Sequence, residues 1–129
     1  MTTAFIERQW PLDAGPVVLG IANLGAGNGV TITLPPKTYL KTINGTIVTA
    51  FNSTTTGTAT ISDGTTTFVN AGSILATGQL TVTNAPKYYP NGGTITVSAA
   101  QTGTAATVGT LIVTLSYTIV GRATEVETN

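Results

Sequence analysis

The chain has 129 residues, a formal charge of zero from five basic and five acidic side chains, no histidine and no cysteine. That length suits one ordinary core; the absence of thiols excludes disulfides and thiolate chemistry, and the absence of imidazole removes the usual general base and the commonest metal ligand. Charged residues are only 8% of the chain, which leaves no basic stripe for phosphate contacts and a surface poor enough in charge that protein partners are expected to cover part of it.

The opening residues, Met1 to Arg8, lack the basic-then-apolar order of a secretory signal, so synthesis in a cytoplasm as a soluble protein is expected. Residues 1–14 are expected to form an arm, residues 15–123 the folded domain and residues 124–129 a polar tail. Within the arm, Phe5, Ile6, Glu7, Arg8 and Trp10 combine large apolar groups with charge, as interface anchors do, and are candidate protein contacts. Alternatively, Trp10 covers one end of its own domain.

No window has helical periodicity. Threonine occupies 29 positions and, with Val and Ile, supplies the β-branched enrichment of pleated surfaces. Strands are expected at residues 17–22, 30–34, 39–43 and 46–52, the second because Val30, Ile32 and Leu34 alternate with Thr31 and Thr33. Residues 58–69 predict a hairpin in which Asp63-Gly64 forms a two-residue type I′ turn, so that Ser62 faces Thr65, Ile61 faces Thr66 and Ala59 faces Phe68. Alternation continues at residues 80–83 and 94–98. It is clearest at 111–119, where Leu111, Val113, Leu115, Tyr117 and Ile119 share one face.

Loops are expected at 25–29, 35–36, 86–93 and 101–103 from their Gly, Pro and Asn. About eight short antiparallel strands with Gly-rich turns predict an all-β, jelly-roll-like sandwich with an extended N-terminal arm. Residues 111–120, the longest apolar stretch, are too few and too rich in Thr and Ser to span a membrane as a helix.

Candidate chemistry is sparse. Between Thr42 and Gly121 the only charged residues are Asp63 and Lys87, so two facing carboxylates cannot be assembled there for glycoside hydrolysis. The glycines of residues 25–29 are not followed by the Lys and Ser or Thr of a phosphate loop, and a calcium loop would need carboxylates that this stretch lacks. No catalytic, cofactor-binding or metal-ligating residues are assigned. Tyr88 and Tyr89 stand between Pro86 and Pro90; neighbours in an extended segment point to opposite sides, so one of the two is expected at the surface as a second candidate protein contact.

Residues Leu34-Pro35-Pro36, 49–53, 58–64 with Phe68, and Gly109 leading into a long strand that ends Val120-Gly121-Arg122-Ala123 together resemble the small jelly-roll head decoration, or cement, proteins of tailed bacteriophages, over residues 30–123. The resemblance implies a virion structural protein without catalytic residues, binding the major capsid protein on the capsid exterior and often oligomeric. Related folds in head fibres, tails and baseplates imply an alternative, receptor or glycan binding.

Overall fold

The structure, a computed structural model, describes residues 12–25 and 27–120. Nine strands follow in order: β1 (Leu12–Leu19), β2 (Val30–Leu34), β3 (Thr38–Thr49), β4 (Thr56–Ser62), β5 (Thr67–Ser73), β6 (Gly78–Gln79), β7 (Lys87–Tyr89), β8 (Gly93–Thr102) and β9 (Thr110–Ile119). One sheet has the order β1-β9-β3-β6, with β7 also paired to β3; the other has the order β2-β8-β4-β5. All ladders between these strands are antiparallel. Strands β6 and β7 share one place in the sheet, β6 on Thr46 and Ile47 and β7 on Thr38 to Leu40. With that place counted once, the two four-strand orders are those of a jelly roll.

The inward side of each strand is its apolar set. Leu111, Val113 and Leu115 of β9, Leu40, Ile43 and Ile47 of β3, Ile61 of β4 and Ile95 and Val97 of β8 are all buried in one core with Phe68. Their alternate neighbours are mostly Thr, Ser and Asn, with Tyr39, Lys41, Val48 and Ile112 on the outward side of the five-stranded sheet, so the period-2 pattern becomes the two surfaces of each sheet. No helix among the described residues is long and apolar enough to cross a membrane.

Several boundaries differ from the sequence expectation. Leu12, Asp13 and Ala14, placed in the arm, are paired with Tyr117, Ser116 and Leu115, because β9 offers them an open edge. Strand β1 then ends at Leu19, and Ile21–Asn23 is a 3-10 turn in which the Gly20 N–H donates to the Asn23 side-chain oxygen at 2.9 Å. Residues 39–43 and 46–52, expected as two strands, are one, since Asn44 and Gly45 continue the ladder opposite Thr114 and Val113.

Residues 80–83 are not a strand. The Leu80 N–H donates to Gly45 O and the Thr83 N–H to Phe68 O, each at 2.8 Å, so this segment crosses from one sheet to the other. A Cβ on Gly45 or Gly72 would lie 2.8 or 2.9 Å from the Leu80 side chain; the two glycines make the notch that Leu80 fills. Residues 87–89, expected within a loop, form β7 instead.

The hairpin register also differs. The Asp63 N–H donates to Thr66 O at 3.0 Å and Ser62 faces Thr67, which moves the apex to Gly64-Thr65, with Gly64 at φ +94°. Ile61 then faces Val69 and Ala59 faces Gly72. Two irregularities in β5 accommodate this shift: Phe68 and Val69 both turn inward, and Ala71, at φ +50°, donates its N–H to the Thr60 hydroxyl at 3.2 Å.

Phe68 is fully buried between the sheets, so Phe68→Ala is expected to lower unfolding free energy by about 3–5 kcal/mol. Thr96→Ala, on an exposed outward position, should stay within about 0.5 kcal/mol. Urea denaturation of the two variants beside the unmodified protein checks both.

Candidate interaction surface

The jelly-roll connections sort the loops into two ends. One end carries the turns at residues 20–29, 50–55, 74–77 and 103–109, and none of its described residues is charged. The other carries the β2–β3, β4–β5 and β7–β8 connections, the start of β1 at Leu12 and the end of β9 at Ile119. Lys37 and Asp63 lie in its turns, Lys87 on β7, and Asp13 and Lys41 near the starts of β1 and β3. Residues 1–11 and 121–129, which contain Glu7, Arg8, Arg122, Glu125 and Glu127, join the fold at this same end. Every charge in the chain is thus at this end or in a segment attached to it.

Asp63 organises the end. Its Oδ1 accepts from the Thr65 N–H at 2.9 Å, the Thr65 hydroxyl at 3.0 Å and the Thr66 N–H at 2.5 Å. Its Oδ2 accepts from Lys87 Nζ at 2.5 Å and the Tyr89 hydroxyl at 2.8 Å. Lys87 Nζ also donates to the Thr66 hydroxyl at 2.8 Å and lies 5.1 Å from the centroid of the Tyr89 ring. The Asp63 side chain is only 3% exposed, that of Lys87 30%. Burial raises the Asp63 pKa, but the Lys87, Thr66, Tyr89 and Thr65 donors outweigh it and hold the carboxyl far below the ordinary range. Burial first, and then the hydrogen bond and the charge of Asp63, push the Tyr89 hydroxyl well above its ordinary value.

Both Asp63 oxygens are engaged by donors, so this constellation is a lock between the β4–β5 turn of one sheet and β7 of the other. It also decides the fate of the two tyrosines. Tyr89 is buried at 6% exposure, whereas Tyr88 is turned outward at 43%. Tyr88 stands directly opposite Tyr39 of β3, itself exposed, and Val120 is exposed near this edge, its N–H donating to Lys37 O at 2.8 Å.

The outward faces of the two sheets differ in chemistry. On β2, β8 and β4 the outward positions are Thr31, Thr33, Thr94, Thr96, Ser98, Ala100, Thr102, Thr56, Thr58, Thr60 and Ser62, hydroxyl-bearing with one exception. Such a face stays hydrated without charge and offers no large apolar anchor. The five-stranded sheet instead presents Tyr39 and Tyr88, of a type that interfaces concentrate, beside the exposed aliphatic Val18 and Val48.

A cleft of about 330 Å³ opens beside β5, lined by Phe68, Asn70, Gly72, Gln79, Leu80 and Thr83 among others. None of its lining residues is ionisable, so the lining supplies no acid or base.

Of the candidate contacts from sequence, Phe5, Ile6, Glu7, Arg8 and Trp10 lie outside the described residues. Tyr88 is at the surface, and Tyr89 belongs to the Asp63 lock. Sequence reasoning missed Tyr39, which alternation placed simply as the start of a strand, and Lys87, which carried no motif. The isolation of Asp63 and Lys87 as the only charges in eighty residues was the one signal that could have paired them. No protein-family model, no curated protein and no solved structure matches the chain.

Because the folded pKa of Asp63 is depressed, its stabilisation is present above the unfolded carboxylate value, about 3.9, and is lost as pH falls toward the folded one. Asp63→Asn is therefore expected to be less stable by about 2–3 kcal/mol near neutrality. The gap to the unmodified protein should narrow as pH drops below about 4. Urea midpoints measured across that range check the sign.

Proposed function

We propose that this protein is a non-enzymatic virion structural protein, a decoration protein that binds the outer surface of a phage head through the charged end of its jelly roll. The observation that carries this reading is the polarity of the surface. The described charges, the points where both terminal segments join the fold and an exposed tyrosine pair lie at one end, while the opposite end lacks described charge and one sheet face is almost wholly hydroxyl. A subunit laid on a lattice needs one adhesive end and otherwise inert surfaces. Weak contacts repeated across symmetry-related sites then add up to stable attachment.

The low charge supports the same reading, since few ions must be desolvated when the surface meets another protein. The resemblance over residues 30–123 points to the major capsid protein as partner and to a homo-oligomer on the capsid exterior. Burial of the Asp63 carboxylate under five donors leaves it poorly placed to serve as a general base.

Purified protein is expected to rebind heads that lack it at micromolar concentration and to raise their resistance to heat. Absence of binding to such heads overturns the proposal. Because β1 starts at Leu12, deletion of residues 2–11 should preserve cooperative unfolding while abolishing attachment, measured by cosedimentation.

The adjacent pair Tyr39 and Tyr88 also fits a second reading, a platform for a sugar ring in a fibre or tail component. That reading expects Tyr88→Ala to abolish glycan binding and excess protein to compete with phage adsorption; indifference of adsorption to the protein rejects it.

A further inference from the structure

We infer that the free protein pairs with a second copy of itself along the outer edge of β2, the two strands running antiparallel about a two-fold axis through Ile32. The contact is a property of the free molecule and is measured without heads, so its failure leaves attachment to a head untouched.

The edges of the two sheets are not alike. On β1 the register slips between Ala14 and Val17, with Gly15 at φ +105° and Pro16 inside the strand. On β5 it slips twice, Ala71 has a positive φ, and the Thr83 N–H already takes the Phe68 carbonyl. Strands β6 and β7 have two and three residues. Bulges, proline and shortness are the devices that keep a sheet edge from pairing with another chain. Strand β2, Val30-Thr31-Ile32-Thr33-Leu34, has none of them: it is uncharged, free of proline and in unbroken register with β8.

The ladder also fixes which groups the edge offers. At Ala99, β8 faces β4 on one side, and on the other its carbonyl accepts from the Gly25 N–H at 2.9 Å. Alternate residues of a strand direct their polar backbone groups to the same side, so Val97 and Ile95 turn theirs toward Val30 and Ile32. Thr31 and Thr33 therefore point their N–H and C=O groups outward, and among the described residues no backbone group bonds to them. Val30 and Ile32 are half-buried, whereas Val97 and Ile95 opposite them are 0% exposed; apolar surface at this rim is left incompletely covered.

A second β2 satisfies both needs at once. With Ile32 facing Ile32, Thr31 of each copy faces Thr33 of the other and exchanges both hydrogen bonds with it, and Val30 faces Leu34. Shifting the register in either direction sets a threonine against Gly29 or against Pro35, which has no N–H. The contact is isologous, and the eight-stranded sheet it makes ends on the irregular β5 of each copy, so it closes as a dimer instead of growing into a fibre. Because β2 runs toward the charged end, antiparallel pairing points the two charged ends in opposite directions. The dimer is thus a form of the free protein, separate from any array on a head.

Sedimentation of the full chain over a concentration series is expected to show a reversible monomer–dimer equilibrium with no larger species. Thr31→Lys with Thr33→Lys sets like charges opposite each other in both threonine pairs and should weaken the dimer by about tenfold. Thr31→Lys with Thr33→Glu adds as many charges at the same exposed positions, but opposite signs meet, so its dimer should be at least as tight as the unmodified one. The chain has no cysteine, and facing residues across such a pair lie within disulfide reach. Ile32→Cys should therefore give a covalent dimer under mild oxidation, and Thr96→Cys, on the neighbouring strand, should not. A monomer at every concentration, equal weakening by the two charge variants, or equal cross-linking at residues 32 and 96 overturns the inference. Amides of Thr31 and Thr33 protected from hydrogen exchange in a monomer would assign the edge to the chain's own cover and overturn it equally.

Discussion

The carboxylate of Asp63 sits where an unpaired charge would be strongly unfavourable, almost dry between two sheets, and the arrangement of one end of the molecule follows from how that charge is satisfied. Two backbone amides and a hydroxyl of its own turn hold one oxygen; an ammonium and a phenol from the other sheet hold the second. A jelly roll joins its sheets mainly through non-directional apolar packing, which tolerates sliding. Directional bonds at the rim remove that freedom. Strand β7 has only three residues and a single strand partner, β3, so the lock is a large part of what places it. With β7 placed, Tyr89 is buried and Tyr88 is turned outward beside Tyr39.

The same end gathers the other described charges, Asp13, Lys37 and Lys41, and the rest of the described surface carries none. Threonine on the outward side of β2, β4 and β8 serves two demands together. Its branched Cβ suits a pleated strand, and its hydroxyl keeps the face hydrated. Such a face has little to attract another protein, because it lacks the aromatic and aliphatic anchors on which interfaces depend. The division of labour between a hydroxyl face and an aromatic, charge-bearing end gives the molecule a direction.

Strands β2, β8 and β9 were legible because each carries its own alternation and needs no distant residue to be recognised. Residues 80–83 alternate just as well, yet they cross between sheets, since Gly45 and Gly72 leave a notch that Leu80 fills. Residues 87–89, marked as loop by flanking prolines, pair because β3 is long enough to host β6 at one end and β7 at the other. The hairpin at 58–69 was recognised, but its apex was misplaced by one residue. Asp-Gly normally favours the central positions of a tight turn; here the Asp63 side chain is drawn to Lys87 and Tyr89, more than twenty residues away, and the ladder adjusts through irregularities in β5.

By itself the sequence determined the class of the fold and the poverty of its chemistry. Periodicity and β-branched content are local properties, and missing His and Cys side chains stay missing in any conformation. The tertiary structure alone decided that Asp63, Lys87 and Tyr89 meet, that Tyr39 and Tyr88 stand side by side, and that charges scattered from residue 13 to residue 87 collect at one end. Those outcomes depend on strand order and register between distant segments, which are set by the packing of two whole sheets and have no trace in any short window of the chain.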